Sequence, residues 1–211
     1  MKKKILALGD YEHVQYHAFG GVDKQLEGIF AAYDLTCSAD YPSLTPALLK
    51  GYDLVVNYIS GWGAKGTRRA AGALLSYVAD GGALLSLHNG IIMHTNPELE
   101  MMQGGVFTGH PEACMLAYTP ADAQHPILKG IEPFAIHEEP YRFSIPDMLK
   151  PTMLLRYAHD GQDWPAAWVL PYGLGGVVYL SIGHSDVSFE NAAFRQLIVN
   201  SAEWLMQQHS C

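Results

Sequence analysis

GGALLSLHNG, residues 81–90, reads as a buried strand, ALLSL, that runs into a tight turn carrying His88, Asn89 and Gly90. A short apolar run bounded by glycines suits a strand covered on both faces. Upstream, TRRAAGALLSYVADGG (67–82) has the Ala-rich composition and glycine stop of a helix, and YDLVVNYIS (52–60) is another strongly apolar strand. Further back, KKILALGD (3–10) and YDLTCSAD (33–40) read as strands. VDKQLEGIFAAY (22–33) and LTPALLKG (44–51) read as helices, the first with Leu26, Ile29 and Phe30 on one face. Strands alternating with helices through short connections predict a parallel sheet with helices on both sides.

The second half changes character. CMLAYTP (114–120), PFAIHEEPYRF (133–143), PTMLLRYAHD (151–160) and PAAWVLPYGLGGVVYLSIGH (165–184) are β-like runs separated by prolines, the last a hairpin turning at Gly173–Gly176. SFENAAFRQLIVNSAEWLMQQ (188–208) is an amphipathic helix with Phe194, Leu197, Ile198, Ala202 and Leu205 inward. No repeat, low-complexity tract or linker interrupts the chain, so residues 1–211 are expected to form one α/β domain: a mostly parallel sheet, a mixed β extension and a closing helix.

Composition narrows the function. A net charge of -8 disfavours a surface that tracks phosphates or anionic lipid, so neither nucleic acid nor membrane is expected as a partner. The apolar run Ile5–Leu8 is too short for a signal peptide, no segment approaches a bilayer span, and a cytoplasmic location is expected. Cys37, Cys114 and Cys211 lie far apart without CxxC spacing, which suits reduced thiols. Ten histidines against 13 Lys+Arg direct attention to imidazole chemistry.

Ligands of open parallel sheets bind beyond the C-terminal strand ends. His13 and His17 follow the first strand, Trp62 the third, His88 the fourth, and His184 ends the hairpin's last strand. His13 or His17, His88 and His184 therefore converge on one sheet edge. The loop MMQGGVFTGHPEA (101–113) adds His110, and HEEPYRF (137–143) adds Glu138, Glu139 and Tyr141. Adjacent strand residues face opposite ways, so one of Glu138 and Glu139 enters the site as ligand or general base. GxSxG, GxxxxGK[ST] and HExxH are absent, and His-Asn after the fourth strand leaves no nucleophile for an acyl-enzyme.

YDLVVNY (52–58), LLSYVADGGALLSLHNG (74–90), GGVFTGHP (104–111), HPILKGIEPFAIHEEPYRF (125–143), AAWVLPYGLGGVVYLSIGH (166–184) and FRQLIVNSAEWL (194–205) together resemble the ThuA-like (trehalose-utilisation) family. The resemblance implies a flavodoxin-like, class I glutamine amidotransferase-like three-layer sandwich, with His88 at the amidotransferase nucleophile position. It also carries over His110, Glu139 and His184. Two departures stand out: Pro140 separates the acidic pair from the aromatic, and Gly175-Gly176 replaces the family's Gly-Arg.

The implied chemistry is metal-assisted acid/base work on a small disaccharide, glycoside or keto-sugar. His88, His110 and His184 are the expected ligands of a divalent ion, zinc first given imidazole donors. His88, Glu138 and Glu139 are the expected catalytic groups, and Trp62, Tyr141 and His17 the expected substrate contacts. The alternative is a catalytically inactive amidotransferase-like binding or sensor domain lacking the nucleophilic Cys. A homodimer is compatible with the fold, and no sequence feature establishes one.

Overall fold

The computed structural model describes residues 2–12, 14–61, 67–92 and 96–209. The first half runs β1 (Lys4–Gly9), α1 (Val22–Ile29), β2 (Asp34–Ser38), α2 (Pro46–Leu49), β3 (Leu54–Tyr58), α3 (Thr67–Ala79), β4 (Ala83–Leu87) and α4 (Pro97–Gln103). The second runs β5 (Val106–Gly109), β6 (Cys114–Pro120), β7 (Phe134–Glu138), β8 (Arg142–Ser144), β9 (Thr152–His159), β10 (Gln162–Tyr172), β11 (Gly175–Leu180) and α5 (Ala192–Gln208). Nine strands form one sheet in the order β2-β1-β3-β4-β11-β10-β9-β6-β7, and β5 pairs with β8 in a separate ribbon.

From β2 to β11 every pairing is parallel, and from β11 to β7 every pairing is antiparallel. Side-chain alternation splits the core in two. Ile5 and Ala7 of β1 join Leu26 of α1 and Leu197 of α5, whereas Leu6 and Leu8 join Leu74 of α3 and Met102 of α4. The sheet is thus covered on both faces, which is why β3 and β4 are buried at every position. In α5 the five residues expected inward are all buried, and Asn191 Oδ1 caps the helix by accepting the N–H groups of Ala193 and Phe194.

Two tight turns build the antiparallel half. Asp160 and Gly161 both have positive φ, 52° and 70°, as a type I′ turn between β9 and β10 requires. Between β10 and β11 Gly173, at φ 60°, supplies the left-handed position and Leu174 completes the turn, so the expected hairpin is present. Its first strand starts earlier than the prolines suggest. Pro165 lies inside β10, at a register shift against β9, where a bulge tolerates the missing donor.

The antiparallel half also curls. β7 is four positions from β11 in the sheet, yet Glu138 at its end bonds the backbone of Gly183 and His184 just beyond β11. The curl brings the end of the outermost strand over the C-terminal ends of the parallel strands. The turn after β4 is held tightly below it. Asn57 Nδ2 donates to Gly90 O at 2.8 Å, and a Cβ at Gly90 would collide with Asn57 O and come within 2.7 Å of Ser86 Oγ.

Gly90→Ala is therefore expected to destabilise by ~1–3 kcal/mol through overpacking. Exposed Gly72 in the middle of α3 has nothing within 4 Å of a Cβ, so Gly72→Ala should stabilise by ~0.5–1 kcal/mol. Urea unfolding midpoints check the opposite signs.

Candidate metal centre

Four side chains meet above the ends of β1, β4, β7 and β11: His17, His88, Glu139 and His184 offer donor atoms that all lie within 4.8 Å of one another. Glu139 Oε2 is the hub. It lies 3.2 Å from His88 Nε2, 3.2 Å from His184 Nδ1 and 3.9 Å from His17 Nε2. His88 is fully buried, with φ of 43° in the left-handed region, and Tyr179 Oη donates to its carbonyl at 2.9 Å.

The hydrogen bonds fix which nitrogens point inward as lone pairs. His88 Nδ1 lies 2.7 Å from Ser181 O, a carbonyl that only accepts, so Nδ1 carries the proton. The neutral ring then turns a bare Nε2 toward the carboxylate, and two acceptors so close require a cation: a proton on Nε2 or a metal. His17 repeats the pattern, with Nδ1 3.3 Å from His184 O and Nε2 directed inward, 3.4 Å from Tyr141 Oη. An imidazole tied through one nitrogen to a carbonyl, with the other turned into the cluster, has the usual arrangement of a metal-binding histidine. His184 Nδ1 is buried and, despite its 3.2 Å approach to Glu139, lacks a hydrogen-bond partner because the alignment is wrong for one.

These features fit a divalent ion. The two 3.2 Å separations around the hub are close to the edge of about 3.3 Å expected for a tetrahedron of ligands around zinc, and His17 stands farther off at 3.9 Å. Burial pushes the Glu139 carboxyl up, but His184 and His88 more than offset this and hold it well below the usual carboxylate range. The contact with Glu139 raises His184, whereas burial and the neighbouring His88 push His17 down to about 4. His17 is therefore neutral near pH 7, as a ligand must be.

The remaining sequence candidates fall around this group. His110 is exposed beyond β5, outside the four, with Nε2 3.7 Å from Glu139 Oε1 and Nδ1 turned to Pro111 O. Glu139 and not Glu138 faces the cluster; Glu138 is fully buried, its oxygens accepting from the N–H groups of Gly183 and His184. Tyr141, an expected substrate contact, is packed away from solvent. Its ring is 1% exposed, stacked on His88 at 4.1 Å and against Phe107 at 4.4 Å, and its hydroxyl lies 3.4 Å from His17 Nε2. Trp62 and His13 lie outside the described residues.

Sequence reasoning passed over Asp10. Its carboxylate accepts from Tyr41 Oη at 2.6 Å and from the backbone N–H groups of Ser60 and Gly61 at 2.9 and 3.1 Å, tying the exits of β1 and β3 together. The available signal was an acid directly after an apolar strand, at the sheet edge where the histidines gather.

Residues 10–205 match the family described as ThuA, trehalose utilisation. Among solved structures, a ThuA-like protein from Bacteroides uniformis is similar with a TM-score of 0.78 at 20% identity, over 96% of this chain and 91% of that one. A second, from Parabacteroides merdae, gives 0.76 at 17% identity over 98% and 90%. PurLQS from Thermotoga maritima gives 0.62 at 13% identity over 97% and 100%. These likenesses establish the amidotransferase-like fold. Comparison with curated proteins gives no match.

In chelator-treated protein, His17 gives a signed pH effect. Its folded value of about 4 lies below the ordinary 6.5, so between them the unfolded chain binds a proton that the folded chain does not. Stability contributed by the neutral ring is complete above about 6.5 and is lost as pH falls toward 4. His17→Gln should shrink the loss of unfolding free energy between pH 7 and pH 4.5 by on the order of 1–2 kcal/mol, measured by urea denaturation. An unchanged loss would show that the ring is not held neutral.

Proposed function

The chain belongs to the ThuA family, and from that premise we propose that His17, His88, His184 and Glu139 hold a divalent metal, zinc first, for acid/base chemistry on a small disaccharide, glycoside or keto-sugar. The observation that carries the reading is the convergence of three imidazoles on one carboxylate, with a buried, unpartnered Nδ1 on His184 and inward lone pairs on His88 and His17. When bound, the ion supplies Lewis acidity toward a sugar carbonyl or hydroxyl.

The chain's own groups divide the remaining work. Glu139, held ionised among the histidines, anchors the site and neutralises part of the cation's charge. His110 is exposed, its Nδ1 engaged by Pro111 O and its Nε2 3.7 Å from Glu139 Oε1, which suits it to take up or return a proton at the substrate. Tyr141 backs the His88 ring and touches His17 Nε2, so it braces both imidazoles. The absence of a nucleophile at His88-Asn89 favours direct proton transfer over a covalent intermediate.

Purified protein should contain close to one equivalent of zinc or a related ion by elemental analysis, or be stabilised thermally by its addition. The double variant His88→Ala, His184→Ala should lose both responses. An empty site that no divalent ion stabilises would sink the metal reading. Loaded protein incubated with disaccharides and 3-keto-glycosides should convert at least one, and His110→Ala should slow that conversion by about 10²–10⁴-fold. A ligand that raises the melting temperature but is recovered unchanged would instead identify a binding domain.

A further inference from the structure

Glu138 is a fully buried carboxylate that the proposed chemistry does not use. Uncompensated, such a charge is costly to bury, so its partners indicate what it is for. Oε1 accepts from Gly183 N at 3.1 Å, and Oε2 accepts from His184 N at 3.1 Å. Both donors belong to the turn that leaves β11, where Gly183 has φ of 126° and Tyr58 Oη donates to its carbonyl at 2.7 Å. The turn is therefore held from the β7 side by Glu138 and from β3 by Tyr58.

That turn controls two of the four donors. His184 carries its own imidazole into the cluster, and its carbonyl O, 3.3 Å from His17 Nδ1, orients the His17 ring. We propose that Glu138 is a positioning residue of the metal centre, setting His184 directly and His17 at one remove through the Gly183–His184 backbone. The inference rests on the metal reading above. It also gives the adjacent acids separate duties: Glu139 presents its carboxylate to the ion, and Glu138 holds the scaffold that presents two histidines.

Competition with a chromophoric chelator measures zinc affinity, and cobalt(II) substitution reports ligand geometry by its visible absorption. Glu138→Gln keeps the shape but turns an amide toward backbone donors. It should weaken zinc binding by about 10–100-fold and alter the cobalt spectrum. Tyr58→Phe, which releases the other side of the turn, should move both readouts the same way by a smaller factor. Leu197→Ala, a cavity variant in α5, should lose stability yet keep wild-type affinity and spectrum, separating positioning from general destabilisation. Wild-type affinity and spectrum in Glu138→Gln overturn the proposal; if that variant does not fold, the same result in Tyr58→Phe does so. Wild-type protein that binds neither ion overturns the metal reading itself, and this role with it.

Discussion

Because β11 lies parallel to β4, with Gly176 opposite Ala83 and Leu180 opposite Leu87, the chain leaving both strands emerges at the same end of the sheet. His88 and Ser181 become neighbours across 93 residues of sequence, and the 2.7 Å contact from His88 Nδ1 to Ser181 O crosses from one strand exit to the next. The same strand is where pairing changes from parallel to antiparallel. Everything after it curls, and the curl returns β7 with Glu138 and Glu139 to that exit. A reversed β11 would send His184 to the far end of the sheet and leave three donors without their turn.

Collecting imidazoles around one carboxylate is stable only with the right number of cations. Burial first, and then the neighbouring His88, disfavour a charge on the His17 ring, and charging all three rings would set like charges against one another. Leaving His17 and His88 neutral turns two lone pairs toward Glu139. A divalent ion resolves both difficulties, satisfying inward lone pairs and carboxylate together. The outer contacts, from His88 Nδ1 to Ser181 O and from His17 Nδ1 to His184 O, orient these two rings through the protein's own backbone.

The parallel half was legible because burial on both faces writes an unmistakable pattern: Leu54–Tyr58 and Ala83–Leu87 are apolar almost throughout, and glycines close them. His88 and His184 followed from the rule about strand ends. The choice between Glu138 and Glu139 did not follow, because alternation stops with β7 at Glu138 and the chain then turns, Tyr141 N bonding Glu139 O at 2.8 Å. Nor was the burial of Tyr141 readable, since it depends on Phe107 arriving with the β5–β8 ribbon. Pro165 misled for a related reason: proline marks a strand end only where no bulge absorbs it.

Backbone strain separates the histidines in a way that side-chain chemistry alone does not. Among the described residues, three that are not glycine have positive φ: His17, His88 and Asp160. Asp160 has a local reason, since its type I′ turn needs that conformation. His88 sits where β4 passes directly into a helical turn, and left-handed backbone there and at His17 costs on the order of 1–2 kcal/mol each. The cost is borne at the two positions whose rings are tied by Nδ1 to carbonyls on the β11 exit, Ser181 O and His184 O. Relaxing either backbone would swing its Nε2 away from Glu139. Strain at these two donors, and at no other histidine described, is what a fold built around that carboxylate would retain.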